Sequence, residues 1–235
     1  MERTITLSKN KYVYELSRRS KRNVNIRVSP EGKLLVSAPK ALPIWRIEEV
    51  IRANEAFVLE SLRRVQATER PRLEDGGFVY LLGERCPVTV TPAGRNCAEE
   101  KDGGLIIYVK DISDAELIER TGEKCIKERC EAVMKALTAR VYPYFKARGK
   151  TFPELKFRKM RSCWGNCRSE KGIVTYNTAL IGAPVECMEY VAAHELCHLL
   201  HPDHSAAFYA ELANVIPDWK RRRQLLKEYG RRIML

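Results

Sequence analysis

The stretch "HELCHLLHPDH", residues 194–204, holds all four histidines of a 235-residue chain. His194 and His198 are four apart, so on a helix they stand one turn and about 6 Å along the axis from each other, on one face. Their nitrogens could then meet one zinc ion at about 2.0–2.1 Å each. Glu195 follows the first histidine and, in an H-E-x-x-H pattern, stands beside the metal's water as a general base rather than on the metal. The alternative is a helix end that carries solvent-facing histidines.

A catalytic zinc needs a third protein ligand and one open position. His201 lies about 10.5 Å along a continuing helix from His194, too far for one ion. Pro202 discourages helix at His201 and turns the chain, which leaves His204 free to fold back, so His204 is the expected third ligand. The interval from His194 to His204 equals that of metzincins, although His201 stands where metzincins carry glycine. Asp203 is an alternative ligand, a hydrogen-bond partner for a ligand ring, or a plain turn residue. Cys197 lies off the histidine face and reads as a small core residue.

The flanking sequence supports a helix here. "APVECMEYVAAHELCHLLH" (183–201) has apolar residues at helical spacing behind Pro184, a residue suited to a first turn. After it, "SAAFYAELANVI" and "PDWKRRRQLLKEYG" read as two closing helices, the last stopped by Gly230. Before it, "ELKFRKMRS" and "GIVTYNTALI" (172–181) are strand-like, and 113–149 is helical, interrupted but not ended by Pro143.

The front of the chain reads differently. "KYVYELSR", "NVNIRVS" and "KLLVSAP" alternate with period two, and "PEGK" joins the last two as a hairpin. An amphipathic helix over 43–65 enters through Pro43; "FVYLLG", "CPVTVTP" and "GLIIYV" then return to strands, with "EDGG" and "KDGG" marking turns. The outline is α+β: a β-rich N-terminal domain over 1–112 and an α+β domain over 113–235. No internal repeat is visible.

Composition narrows the partners. No run approaches the roughly 18 apolar residues of a membrane span, and the start lacks a signal-peptide core, so a cytoplasmic protein without membrane contact is expected. Eight cysteines at irregular spacing in a chain of this size read as reduced thiols; Cys163 and Cys167 in "CWGNC" have no second pair at zinc-finger spacing. The net charge of +12, from 42 basic and 30 acidic residues, favours an anionic partner such as nucleotide or nucleic acid, or serves solubility alone.

Over most of its length the sequence resembles the YgjP-like metallopeptidase family, related to the SprT-like and WLM zinc peptidases. The resemblance rests on Trp164–Gly165–Asn166–Cys167, Asn177 and Leu180, His194 to His198, His204–Ser205 with Phe208–Tyr209, and Pro217–Asp218–Trp219 with Arg222; "NVNIRVSPEGKLLVSAPK" resembles the family's opening hairpin. It implies a zincin-like catalytic domain, Zn2+ held by His194, His198 and His204, and Glu195 as catalytic base. The family usually has arginine before the Trp-Gly pair and serine after it, where this chain has Cys163 and Asn166. The loop therefore receives no catalytic role here: Trp164 is expected to pack beneath the site, and Arg161 is the nearest stand-in for the missing arginine.

The function so implied is that of a zinc-dependent hydrolase acting on peptide or protein. "GIVTYNTALI" is the strand expected to pair with an extended substrate, and Tyr176 is either a transition-state donor or a buried aromatic. Metal-dependent hydrolysis of nucleoside triphosphates is the first alternative, since the same chemistry attacks phosphorus. A DNA-associated protein-processing peptidase is the second.

Overall fold

The structure, a computed structural model, describes residues 2–20, 22–29, 32–67 and 70–233. The chain forms two units, Met1–Glu69 and Arg70–Leu235. In the first, β1 (Glu2–Leu7), β2 (Asn10–Arg19), β3 (Asn25–Val28) and β4 (Leu34–Pro39) make one sheet in the order β1-β2-β4-β3. The predicted hairpin is present as antiparallel pairing of β3 with β4, from Asn25 opposite Ser37 to Val28 opposite Leu34. Pro30 and Glu31 of its turn, and Lys21 of the basic cluster 18–22, lie outside the described residues. The amphipathic segment is two helices, α1 (Ile44–Ala53) and α2 (Glu55–Ala67), parted at Asn54. Ile5, Leu7, Tyr14, Leu34, Val36, Ile47 and Ile51 close a core of their own.

The second unit opens with β5 (Phe78–Leu81), β6 (Glu84–Pro92), β7 (Cys97–Lys101) and β8 (Gly104–Val109), again in the order first-second-fourth-third. Then come α3 (Ala115–Lys146), β9 (Glu154–Arg158), β10 (Gly165–Arg168), β11 (Ile173–Asn177), α4 (Val185–Cys197), α5 (Ala206–Val215) and α6 (Trp219–Ile233). The second sheet runs β10-β11-β9, with β11 antiparallel to β10 and parallel to β9. The α+β class predicted from sequence holds, with a β-rich N-terminal part before a part in which helices predominate.

The sequence places the boundary near residue 112, where period two gives way to helical spacing; the contacts divide the chain at 69/70. The difference has a packing cause. A methyl on Gly122 of α3 would lie 2.8 Å from Leu73 Cδ2 and 2.9 Å from Ile107 Cδ1, so β8 and the segment before β5 press directly on the helix. Leu82, in the β5–β6 turn, donates its N–H to the Ile181 carbonyl at 2.6 Å. Strands β5–β8 therefore share one core with α3 and α4.

Two further elements depart from the sequence reading. The strand expected over 172–181 ends at Asn177, and Thr178–Gly182 is a 3-10 helix capped by the Asn177 side chain. Helix α6 runs through Gly230 to Ile233 instead of stopping there. A methyl at Gly230 would lie 3.0 Å from Trp164 Cζ2, so this glycine makes room for an indole rather than ending a helix. Pro143 stays inside α3, as expected. No helix among the described residues is long and apolar enough to cross a membrane.

Candidate metal centre

Helix α4 begins behind Pro184 at its N-cap and ends at Cys197, with His198 as C-cap still in helical conformation. His194 and His198 therefore keep the one-turn spacing. Beyond them the chain tightens: the N–H groups of Leu200 and His201 both bond the Cys197 carbonyl, at 3.0 and 2.9 Å. Pro202 then blocks helix, and Ser205 caps α5 by accepting the Phe208 N–H at 3.4 Å. This bend returns the His204 ring to α4, where its Nε2 lies 3.1 Å from His194 Nε2.

Among the described residues, His194, His198 and His204 are the cluster whose ligand atoms converge, all within 4.8 Å of one another. Tetrahedral zinc with nitrogen ligands sets pairs of them about 3.4 Å apart, so the donor set fits such an ion with little adjustment. His201 contributes its backbone: its carbonyl accepts from His198 Nδ1 at 3.1 Å, which leaves Nε2 of that ring for the site. Asp203 is exposed and acts on His198 through its charge. Cys197 is fully buried, in keeping with a core role.

Beneath the three rings lies one aromatic. Phe208, fully buried, has its ring centroid 5.0, 4.7 and 4.8 Å from those of His194, His198 and His204. Its role was not read from sequence; its position four residues after His204, one turn into a helix with a serine cap, was the available signal. Burial, with His198 and His204 adding to it, pushes His194 down to about 3, and burial also lowers His198. Both rings are thus neutral near pH 7, the form that binds a metal.

Glu195 is 5 % exposed, and desolvation alone pushes its carboxyl up to about 8. A cation nearby works in the opposite sense. Gly165, at the start of β10, covers it: a methyl there would lie 2.4 Å from Glu195 Oε1 and 2.7 Å from its Cδ. The Trp-Gly loop, given no catalytic role from sequence, thus sets the space around the carboxylate, and glycine is required for want of room.

Asn177 holds that loop. Fully buried, it donates from Nδ2 to the carbonyls of Met160 (2.8 Å) and Cys163 (2.9 Å) and accepts from Met160 N at 3.2 Å, while its own N–H bonds the Trp164 carbonyl at 2.9 Å. Replacing Asn177 with Ala removes the side-chain partner of those part-buried groups. Each orphaned group costs about 1–3 kcal/mol, so the unfolding free energy should fall by at least about 2 kcal/mol, measurable in urea. A change below 0.5 kcal/mol (about the scatter of surface substitutions) would remove the clamp from the account.

A cleft of about 890 Å³ opens over His194, Glu195 and His204, lined also by Trp164, Gly165 and residues of α6. Helix α6 is docked by Arg222, which pairs with Asp218 at 2.8 Å and Glu189 at 2.6 Å; Glu189 also holds Arg140 of α3 at 2.7 Å. Trp219 stacks on Tyr209, centroids 4.9 Å apart. The Pro-Asp-Trp-x-x-Arg pattern therefore works as the joint between α4 and α6.

Two sequence expectations fail here. Strand β11 is the middle strand of its sheet, so both its edges are paired and neither is free for an extended substrate; β10 and β9 are the edge strands, and Gly165 of β10 lines the cleft. Of the two readings of Tyr176, the buried aromatic is the one present: the residue is fully buried, with its hydroxyl 3.0 Å from that of Thr138. Arg161 is exposed and does not line the cleft; the cations there come from α6. All eight cysteines are free, as expected of reduced thiols.

The family described as "YgjP-like, metallopeptidase domain" matches residues 22–229. The crystal structure of the metallopeptidase zymogen of Pyrococcus abyssi abylysin is similar over 43% of this chain and 99% of its own, with 21% identity and a TM-score of 0.39. No curated protein matches the chain.

Proposed function

The chain belongs to the YgjP-like metallopeptidase family, and from that premise we propose that it is a zinc-dependent peptidase with His194, His198 and His204 as ligands and Glu195 as general base. The observation that carries this reading is the convergence of three imidazoles, from two adjacent turns and from beyond a bend, next to a buried carboxylate in an open cleft. A structural zinc site closes all four positions with protein ligands, whereas three leave one open for chemistry.

Zinc, when bound, supplies a Lewis acid for the scissile carbonyl and lowers the pKa of water to about 7. The protein's own groups do the rest. Glu195, held under Gly165, takes the proton of the attacking water and returns it to the leaving amine. The edge of β10 offers backbone N–H and C=O groups to an extended peptide. The His201 carbonyl keeps His198 oriented, and Phe208 keeps the three rings from turning.

Elemental analysis paired with a peptide screen tests this. The purified protein should carry stoichiometric zinc and cleave some peptides, and a chelator should abolish cleavage until zinc is restored. Absence of cleavage on any peptide by the zinc-loaded chain would refute the peptidase reading.

A further inference from the structure

Helix α6 carries two sets of cations with different fates. Arg221 and Arg222 are neutralised: Arg221 bonds Glu186 at 3.2 Å and Asp218 at 2.7 Å, and Arg222 pairs with Asp218 and Glu189. Lys220, Arg223 and Lys227, spaced three and four apart and so on one face, form no ion pair among the described residues and are exposed. That face lines the cleft over His194 and Glu195.

Their placement runs against helix stability. Lys220 and Arg223 stand near the N-terminus of α6, whose first turn has no acidic residue, and a helix N-terminus carries partial positive charge that favours anions. Acidic residues at these positions would stabilise the helix. The positive charge of the helix end and of three side chains instead accumulates on one wall of the cleft, where an anionic group of a ligand would meet it. The charge of Arg223 is already felt at Tyr190 and His194. Apart from these cations and the metal-site residues His194, Glu195 and His204, the cleft lining carries no Lys, Arg, Asp or Glu, so the α6 face sets the charge that a bound group meets.

We infer that Lys220, Arg223 and Lys227 form a substrate-selecting wall for acidic side chains, so that the site takes peptides carrying Asp or Glu beside the scissile bond. The inference rests on the peptidase reading above and names its substrate class. Carboxylates are chosen over phosphates because the cleft has no glycine-rich loop to cradle a polyphosphate.

Equilibrium binding keeps this separate from catalysis. The probes are fluorescent acidic, neutral and basic versions of one peptide, titrated into zinc-loaded Glu195→Gln protein, with anisotropy as readout. The acidic version should bind about tenfold tighter than the neutral one at low salt, and the ratio should shrink as salt rises toward 0.5 M. Adding Lys220→Glu, Arg223→Glu and Lys227→Glu should bring the ratio to one or below. The same net change made at the exposed Lys101, Lys110 and Lys146, outside the cleft, should leave it at tenfold. If the cleft variant does not fold, the salt dependence and the comparison with the remote variant still decide. Equal binding of the three peptides, or an acidic preference that the remote variant loses equally, overturns the proposal. A nucleoside triphosphate that binds this wall and is hydrolysed by the wild type, with no acidic peptide bound, overturns it in favour of phosphoanhydride chemistry. Acidic preference without cleavage by the wild type would keep the wall and refute the peptidase reading alone.

Discussion

Glu195→Gln should lower peptide turnover about a hundred- to ten-thousand-fold, the range for loss of a general base, with zinc content unchanged. Glutamine has the same shape, so it fits the space that Gly165 leaves, and the three imidazoles keep their positions. What disappears is the atom that accepts a proton. A second readout separates this from general damage. In the metal-free protein the folded carboxyl has a pKa raised to about 8, above its ordinary value of 4.5. The folded state then binds the proton more tightly than the unfolded one. The contribution of Glu195 to the stability of the metal-free wild type is therefore full below about pH 4.5 and is lost as pH rises toward 8. The glutamine variant removes that decline, so at pH 8 it should melt above the metal-free wild type. Turnover at the wild-type level would end the general-base assignment.

Gly165→Ala should be the other large effect, although it touches neither a ligand nor the base chemically. A methyl 2.4 Å from Glu195 Oε1 cannot coexist with the present carboxylate position, so either the side chain or β10 must move. The strand is pinned through Trp164 and Asn177, which makes the carboxylate the part that yields. Displacement of about 1 Å at a reacting group costs about a hundredfold in rate. Overpacking adds about 1–3 kcal/mol of destabilisation. Zinc content should not change. In the Glu195→Gln background the same substitution should cost little further activity, because the group it displaces no longer works. Equal losses in both backgrounds would mean that Gly165 serves the fold and not the placement of Glu195.

The contrast between these residues explains what could be read without coordinates. The histidine helix was legible because three signals agree: apolar spacing over 185–200, a proline at each end, and ligand types one turn apart. His204 followed from Pro202, a local effect on the chain. Strand β11 was found but drawn too long, since "TALI" is apolar enough to continue a strand and only the Asn177 side chain, bonding the Ala179 N–H, turns it. Strand β7, "CAEEK", was missed because an exposed edge strand has no apolar face to alternate. Gly165, Gly122 and Gly230 could not be read at all. Each is fixed by an atom far along the sequence, and a glycine crowded by a remote side chain looks like a glycine in a turn.

Residues Met1–Glu69 and Arg70–Leu235 each enclose their own apolar interior. Two separate interiors allow two separate melts, so a single melting temperature need not describe both. A cation bound by residues 194, 198 and 204 would act directly on the larger unit, which holds all three histidines.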